Sequence, residues 1–228
     1  MTQNKSYATA RSPDTLSNMP DKKNIRKSVQ RLATACIATF SLTACTSEGI
    51  HYYTLRTASA GPIPVQQAAP FLINVLPVGI PAELDQPQIV IRQGDNMLVP
   101  LDTERWASSL DDEIRNALSA ELADQLGTQD TAGLASPAGK PLLRIKVQIR
   151  QFDASPGHEV YLRAGWSIIP AEDAGKIALT CFGQFDAKTA GGYPEMVQAQ
   201  KRVLTTLATR IATDARSRAR SHTAVCSQ

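Results

Sequence analysis

The chain has 228 residues, 43 % of them hydrophobic, with 24 Lys and Arg against 21 Asp and Glu for a formal net charge of +3. Residues 1–44 hold seven of the basic and two of the acidic residues, so the remaining 184 residues keep 17 and 19 and are mildly acidic, at −2. The apparent basicity therefore belongs to the N-terminus, and nucleic-acid binding, which needs a clustered basic face on the domain itself, is excluded.

The first informative stretch runs from Leu32 to Leu42, apolar or small and uncharged, preceded by Lys22, Lys23, Arg26, Lys27 and Arg31. A basic segment, a short apolar segment and small residues at its end describe a secretory signal peptide. A membrane-spanning helix needs about 20 apolar residues, and Leu32 to Ala44 offers 13. The run closes on Leu42-Thr43-Ala44-Cys45, which resembles the bacterial lipoprotein box. Cleavage then falls between Ala44 and Cys45, and Cys45 carries diacylglycerol and palmitate as the mature N-terminus; the bland alternative is a cysteine that merely follows an ordinary leader. A start at Met19 leaves 26 residues before Cys45, inside the usual range of about 15–30, which makes residues 1–18 a mis-assigned start or an extension. Thr46 to Ile50 are the whole spacer to the domain over 51–228, at most about 17 Å of extended chain.

Within that domain, His51 to Leu55 is rich in aromatic and β-branched residues and is expected as a strand. Thr57 to Pro70 is a connection, and Phe71 to Val78 a short buried strand whose Pro77, lacking an amide donor, lies at an edge or leaves the sheet. Ile80 to Pro87 is irregular, with two prolines. Gln88 to Arg92 and Met97 to Leu101, around Gln93-Gly94-Asp95-Asn96, predict a β-hairpin. Asp102 or Thr103 then caps a helix, with Glu104 near its positive end. Its apolar stripe is Trp106, Leu110, Ile114, Leu118, Leu122 and Leu126 with Ala117 between, and Gly127 ends it. The opposite face carries Asp111, Asp112, Arg115, Asn116 and Glu121.

Thr128 to Pro141 is expected as a flexible connection. Three alternating runs follow: Leu143, Ile145, Val147 and Ile149; Val160, Leu162, Ala164, Trp166 and Ile168; then Ile177, Leu179, Cys181, Gly183 and Phe185. Turn signals at Pro156-Gly157 and between Pro170 and Gly175 make them an antiparallel meander with one covered face. Arg144, Lys146, Arg150 and Arg163 stand on the other face, as plain solvated surface or as a contact for an acidic partner or an anionic headgroup. Gly191 to Arg220 is the second long helix, with Pro194 and Glu195 in its first turn and Val197, Leu204, Leu207 and Ile211 as its stripe. Arg216, Arg218 and Arg220 suit its negative end. The expected fold is α+β: a mostly antiparallel sheet with two long amphipathic helices packed on one face. Cys181 and Cys226, exported to an oxidising compartment, either form a bridge that pins the C-terminal tail or remain two separate thiols.

Chemistry is sparse. His51, His158 and His222 are far apart and lack acidic residues at ligand spacing, so no metal or other cofactor is expected. No H-E-x-x-H, Cys-x-x-Cys, Gly-x-Ser-x-Gly, P-loop or dinucleotide fingerprint occurs. Asp153 and His158 share a predicted turn without a nucleophile beside them. A binding or scaffolding protein is expected rather than an enzyme.

The succession of Cys45, Tyr52-Tyr53-Thr54-Leu55, Val75 through Arg92 (VLPVGIPAELDQPQIVIR) and Arg105 through Leu110 (RWASSL) resembles the ABC-type transport auxiliary lipoproteins, the PqiC (YmbA) family. Pro77 to Leu126 carries most of the likeness, and the C-terminal half follows in layout. The resemblance implies a non-catalytic, periplasm-facing lipoprotein that works with an MCE-domain membrane protein and ABC and permease components in intermembrane lipid or hydrophobic-solute transport. Thr46, in place of Asp after the lipidated cysteine, implies the outer membrane over the inner one. Contact with the partner is expected from Ile80, Pro81, Glu83, Leu84, Asp85, Gln86 and Pro87, with the hairpin Gln88 to Leu101; the first segment equally reads as a crossover between two strands, and self-association is compatible with this picture. The alternative function is an assembly factor or plug for an outer-membrane β-barrel.

Overall fold

The computed structural model describes residues 49–57, 68–135, 139–171, 178–221 and 223–227. Its centre is the long hairpin of β5 (Leu142–Ser155) and β6 (Glu159–Pro170), joined through Pro156-Gly157 and continued by antiparallel β7 (Leu179–Lys188). The alternation expected from the sequence holds. Leu143, Ile145, Val147, Ile149, Leu162, Trp166, Ile168, Leu179, Cys181 and Phe185 are all buried. A β-bulge between Ile149 and Gln151 inserts Arg150 and returns Phe152 to the buried face.

The strand pairing is mixed. β2 (Leu72–Val75) runs parallel to β5, which gives a four-stranded sheet of order β2-β5-β6-β7. A second sheet, β1-β4-β3, joins the hairpin of β3 (Gln88–Gln93) and β4 (Met97–Trp106) to a parallel β1 (His51–Tyr53). Two sheets thus replace the single one expected. Past Val75, the edge of β5 stays covered: Leu76 N donates to Ile145 O at 2.9 Å, and Gly79 N to Val147 O at 3.1 Å. Pro77, with no N–H to give, falls between these two bonds.

The first helix, α1 (Leu110–Leu126), starts eight residues later than Asp102. The stretch 102–106 instead completes β4, alternating half-exposed Thr103 and Arg105 with buried Glu104 and Trp106. Trp106 lies four residues before Leu110 and so imitates a helical repeat, which is why the two periods are confused there. Ser109 precedes the helix, its hydroxyl 3.1 Å from Asp112, and Asp111, Asp112 and Glu113 supply the acidic first turn. Leu110, Ile114, Ala117, Leu118, Leu122 and Leu126 are buried, and Gly127 ends the helix at φ 60°, a left-handed conformation that suits glycine.

Part of the predicted loop after α1 is ordered onto the sheet. Ile73 N donates to Gln129 O, Thr131 N to Ile73 O, and the Thr128 hydroxyl to Phe71 O. Asp130 accepts from Val75 N, Ala132 N and the Ser119 hydroxyl, which fixes 128–131 beside β2.

The second helix, α2 (Tyr193–Arg220), follows the expected bounds to within two residues, with Pro194 in its first turn. Its stripe of Met196, Val197, Val203, Leu204, Leu207 and Ile211 packs into the same core as α1 and the inner face of the four-stranded sheet. Arg216 reaches across to donate to Gln125 O near the end of α1.

Candidate docking surface

The irregular segment between β2 and β3 is a bridge between the two sheets. At its start Gly79 is bonded to β5, and at its end Pro87 O accepts from Trp106 N at 2.9 Å. Between them Ala82–Leu84 form one 3-10 turn after Pro81, closed by Leu84 N to Pro81 O and Asp85 N to Ala82 O. Gln86 Nε2 donates to Glu83 O at 3.0 Å. Leu84 turns into the core and is 6 % exposed, so it offers no side chain to a partner. Ile80, Pro81 and Gln86 are half-buried, and Ala82, Glu83, Asp85 and Pro87 remain as the outward surface. The segment therefore serves as the crossover and also presents two carboxylates on a short hydrogen-bonded turn.

The N-terminal strand is tied down by two buried carboxylates. Glu104 accepts from His51 Nδ1 at 2.9 Å and the Thr103 hydroxyl at 3.1 Å. Burial alone would raise its pKa, but Tyr53, His51 and Thr103 together outweigh that and lower it. Tyr53 responds in the opposite sense: burial first, then the neighbouring Glu104 carboxylate, push its phenol up to about 12. Glu113, in the first turn of α1, accepts from the Thr54 hydroxyl at 2.7 Å, Leu55 N at 2.8 Å and the Ser108 hydroxyl at 2.8 Å. The chain leaving β1 is thereby fastened to the start of α1. Neither role follows from local pattern, because Thr54 and Glu113 are 59 residues apart.

The C-terminal tail is held the same way. Cys181 and Cys226 form a disulfide with Cα atoms 5.7 Å apart. Ser227 N donates to Asp214 at 2.7 Å and Arg210 to Ser227 O at 2.8 Å. Asp214, fully buried, also accepts the indole N–H of Trp166 at 2.9 Å. This group had a sequence signal: Leu207, Ile211, Asp214 and Arg218 share one helical face, so a carboxylate and a guanidinium continue the apolar stripe.

The residues considered for chemistry do not assemble. His158 lies 70 % exposed in the β5–β6 turn, 3.9 Å from Glu159. Asp153 is engaged elsewhere, by the guanidinium of Arg92 at 2.8 and 2.9 Å. His51 sits in the other sheet, and His222, Ala44 and Cys45 lie outside the described residues. Among the described residues no group of three or more His, Cys, Asp and Glu could hold a metal ion, and no helix is long and apolar enough to cross a membrane.

Residues 53–212 match the model of the ABC-type transport auxiliary lipoprotein component. The chain belongs to that family. It is 27 % identical over 164 residues to the intermembrane transport lipoprotein PqiC of Escherichia coli K12, covering 71 % of this chain and 85 % of that protein, and equally to PqiC of Shigella flexneri. Two crystal structures share the fold. Protein XCC0632 from Xanthomonas campestris has a TM-score of 0.56 at 13 % identity, covering 71 % of this chain and 92 % of that one. An uncharacterised protein has a TM-score of 0.57 at 23 % identity, covering 73 % and 98 %. The family match runs from Tyr53, the last residue of β1, through most of α2, and so includes the bridge segment, Glu104, Glu113 and Trp166.

Proposed function

We propose that this family member is a lipid-anchored, periplasm-facing docking component of an ABC/MCE-type system that moves lipid or another hydrophobic solute between the two bacterial membranes. Its leader ends at Ala44, and diacylglycerol on Cys45 fixes the mature protein to the outer membrane. Its single domain follows after a five-residue spacer. The observation that carries this reading is family membership over 53–212, together with the fastening of the strand nearest the anchor to the body of the domain by Glu104 and Glu113. A short spacer and a fixed first strand hold the domain against its own membrane, so the MCE-domain protein must come to it.

The partner-facing surface is the acidic turn of Ala82, Glu83, Asp85 and Pro87. The double variant Glu83→Lys/Asp85→Lys is expected to retain the wild-type melting temperature, since both side chains are exposed. Co-purification of the MCE-domain protein is expected to fall by about tenfold, as reversing two charges within the contact disrupts its electrostatic match. Unchanged co-purification by the folded variant would leave the segment as a crossover only.

A further inference from the structure

The solvent face of the four-stranded sheet is chemically uneven. Arg144, Lys146, Arg150 and Arg163 are all exposed there, and none of their side chains has a hydrogen-bond or ion-pair partner among the described residues. The residues directly opposite Arg144, Lys146 and Arg163 on the neighbouring strands are Asn74, Ile169, Ser167, Gln151 and Gln184, none of them a carboxylate. Among the described residues, the acidic groups next along this face are Asp153 and Asp186, both opposite Tyr161; Asp153 is already paired with Arg92, and Asp186 stands two residues beyond Gln184. A cationic field thus covers one end of a sheet in a domain whose net charge is negative.

Among these cations projects Phe182, 72 % exposed. It lies opposite Gly165, where a β-carbon would come within 3.0 Å of its ring, so the missing side chain lets the ring rest on the backbone. Arg150, Arg163, Phe182 and Gln184 border one shallow groove. The bulge at Arg150 places this second arginine beside Arg163, which pairs with Gln151; bulges commonly re-aim a side chain in this way.

We propose that this face binds the headgroup layer of a bilayer containing anionic phospholipid, with Arg150 and Arg163 on the phosphates and Phe182 in the interfacial layer. Long cationic stems around one projecting aromatic ring suit a fluid, planar, anionic surface, because the ring enters the interface while the charges stay at headgroup level. The nearness of a bilayer rests on the membrane-anchored reading above; the charge and the ring belong to this face itself.

The test uses the mature protein reconstituted into phosphatidylcholine vesicles, with and without phosphatidylglycerol. Phe182→Trp serves as reporter against the buried Trp106 and Trp166. The expected result is a blue-shifted emission, quenched by brominated acyl chains, on the phosphatidylglycerol vesicles only. It should weaken at high salt, where screening shortens to a few ångströms. Adding Arg150→Gln and Arg163→Gln should remove most of the difference between the two vesicles. Retention on phosphatidylcholine reads the anchor separately, so a failed anchor leaves the comparison intact. Identical emission on both vesicles would overturn the proposal, as would a change produced only by adding an acidic protein partner.

Discussion

Asp214→Ala is expected to lower the melting temperature by roughly 10 °C. The carboxylate is fully buried and accepts from the Trp166 indole N–H and from Ser227 N. Truncating it strands a buried indole donor and removes the Ser227 bond of a tail that the disulfide still tethers, and bonds to a charged acceptor contribute about 1.5–3 kcal/mol each. A net loss of about 3 kcal/mol in a domain of this size converts to that temperature shift. Asp214→Asn, with one carbonyl oxygen left to accept, should lose about half as much. The disulfide provides an internal check. It closes a span of 45 residues and is expected to contribute about 3–4 kcal/mol through the unfolded chain. Once Cys181→Ser/Cys226→Ser has freed the tail, Asp214→Ala should cost less than it does alone, because the Ser227 bond is already gone. Thermal denaturation of the four proteins under oxidising conditions measures this coupling. Strict additivity would mean that Asp214 does not hold the tail.

The second large effect is expected at Glu113, where alanine removes the acceptor for Thr54, Leu55 and Ser108 together. Leu55 N is buried and would be left unpaired, at a cost of about 1–3 kcal/mol; with the two hydroxyl bonds the total reaches about 3 kcal/mol. The loss should be local first. Amide hydrogen exchange at His51 to Leu55 should accelerate by more than tenfold while the β5–β6 hairpin keeps its protection. Glu113→Gln should retain part of the protection through its carbonyl oxygen. Equal acceleration across the whole sheet would show that Glu113 stabilises the fold at large rather than fastening the N-terminal strand.

What the sequence reveals about this fold depends on how far apart the partners are. The β5, β6 and β7 alternation and the stripes of both helices are local periodicities, and each appears where Leu143, Trp166, Leu118 or Leu207 places it. β1 and β2 pair in parallel with strands reached only after long intervening segments, such as Leu72 with Leu142, and no short window encodes such a register. At Trp106 the strand and helix periods overlap, which moved the expected start of α1 into β4 and set Glu104 at a helix end instead of beneath His51. Thr128 to Thr131 has a loop-like composition, yet the side chains of Thr128 and Asp130 supply the bonds that fasten it to β2. The surface features are mixed in the same way. Alternation already points Phe182 away from the Cys181 and Phe185 side, whereas the burial of Leu84 within a proline-flanked turn depends on tertiary packing.

The most direct measurement is affinity purification of the tagged protein from bacterial membranes, with mass spectrometry of the protein, its partners and co-eluting lipid. The account predicts a mature chain that begins at Cys45, carries diacylglycerol and palmitate, and co-elutes with an MCE-domain protein. A chain with an unmodified Cys45 thiol, or a β-barrel protein in place of the MCE-domain partner, would contradict it.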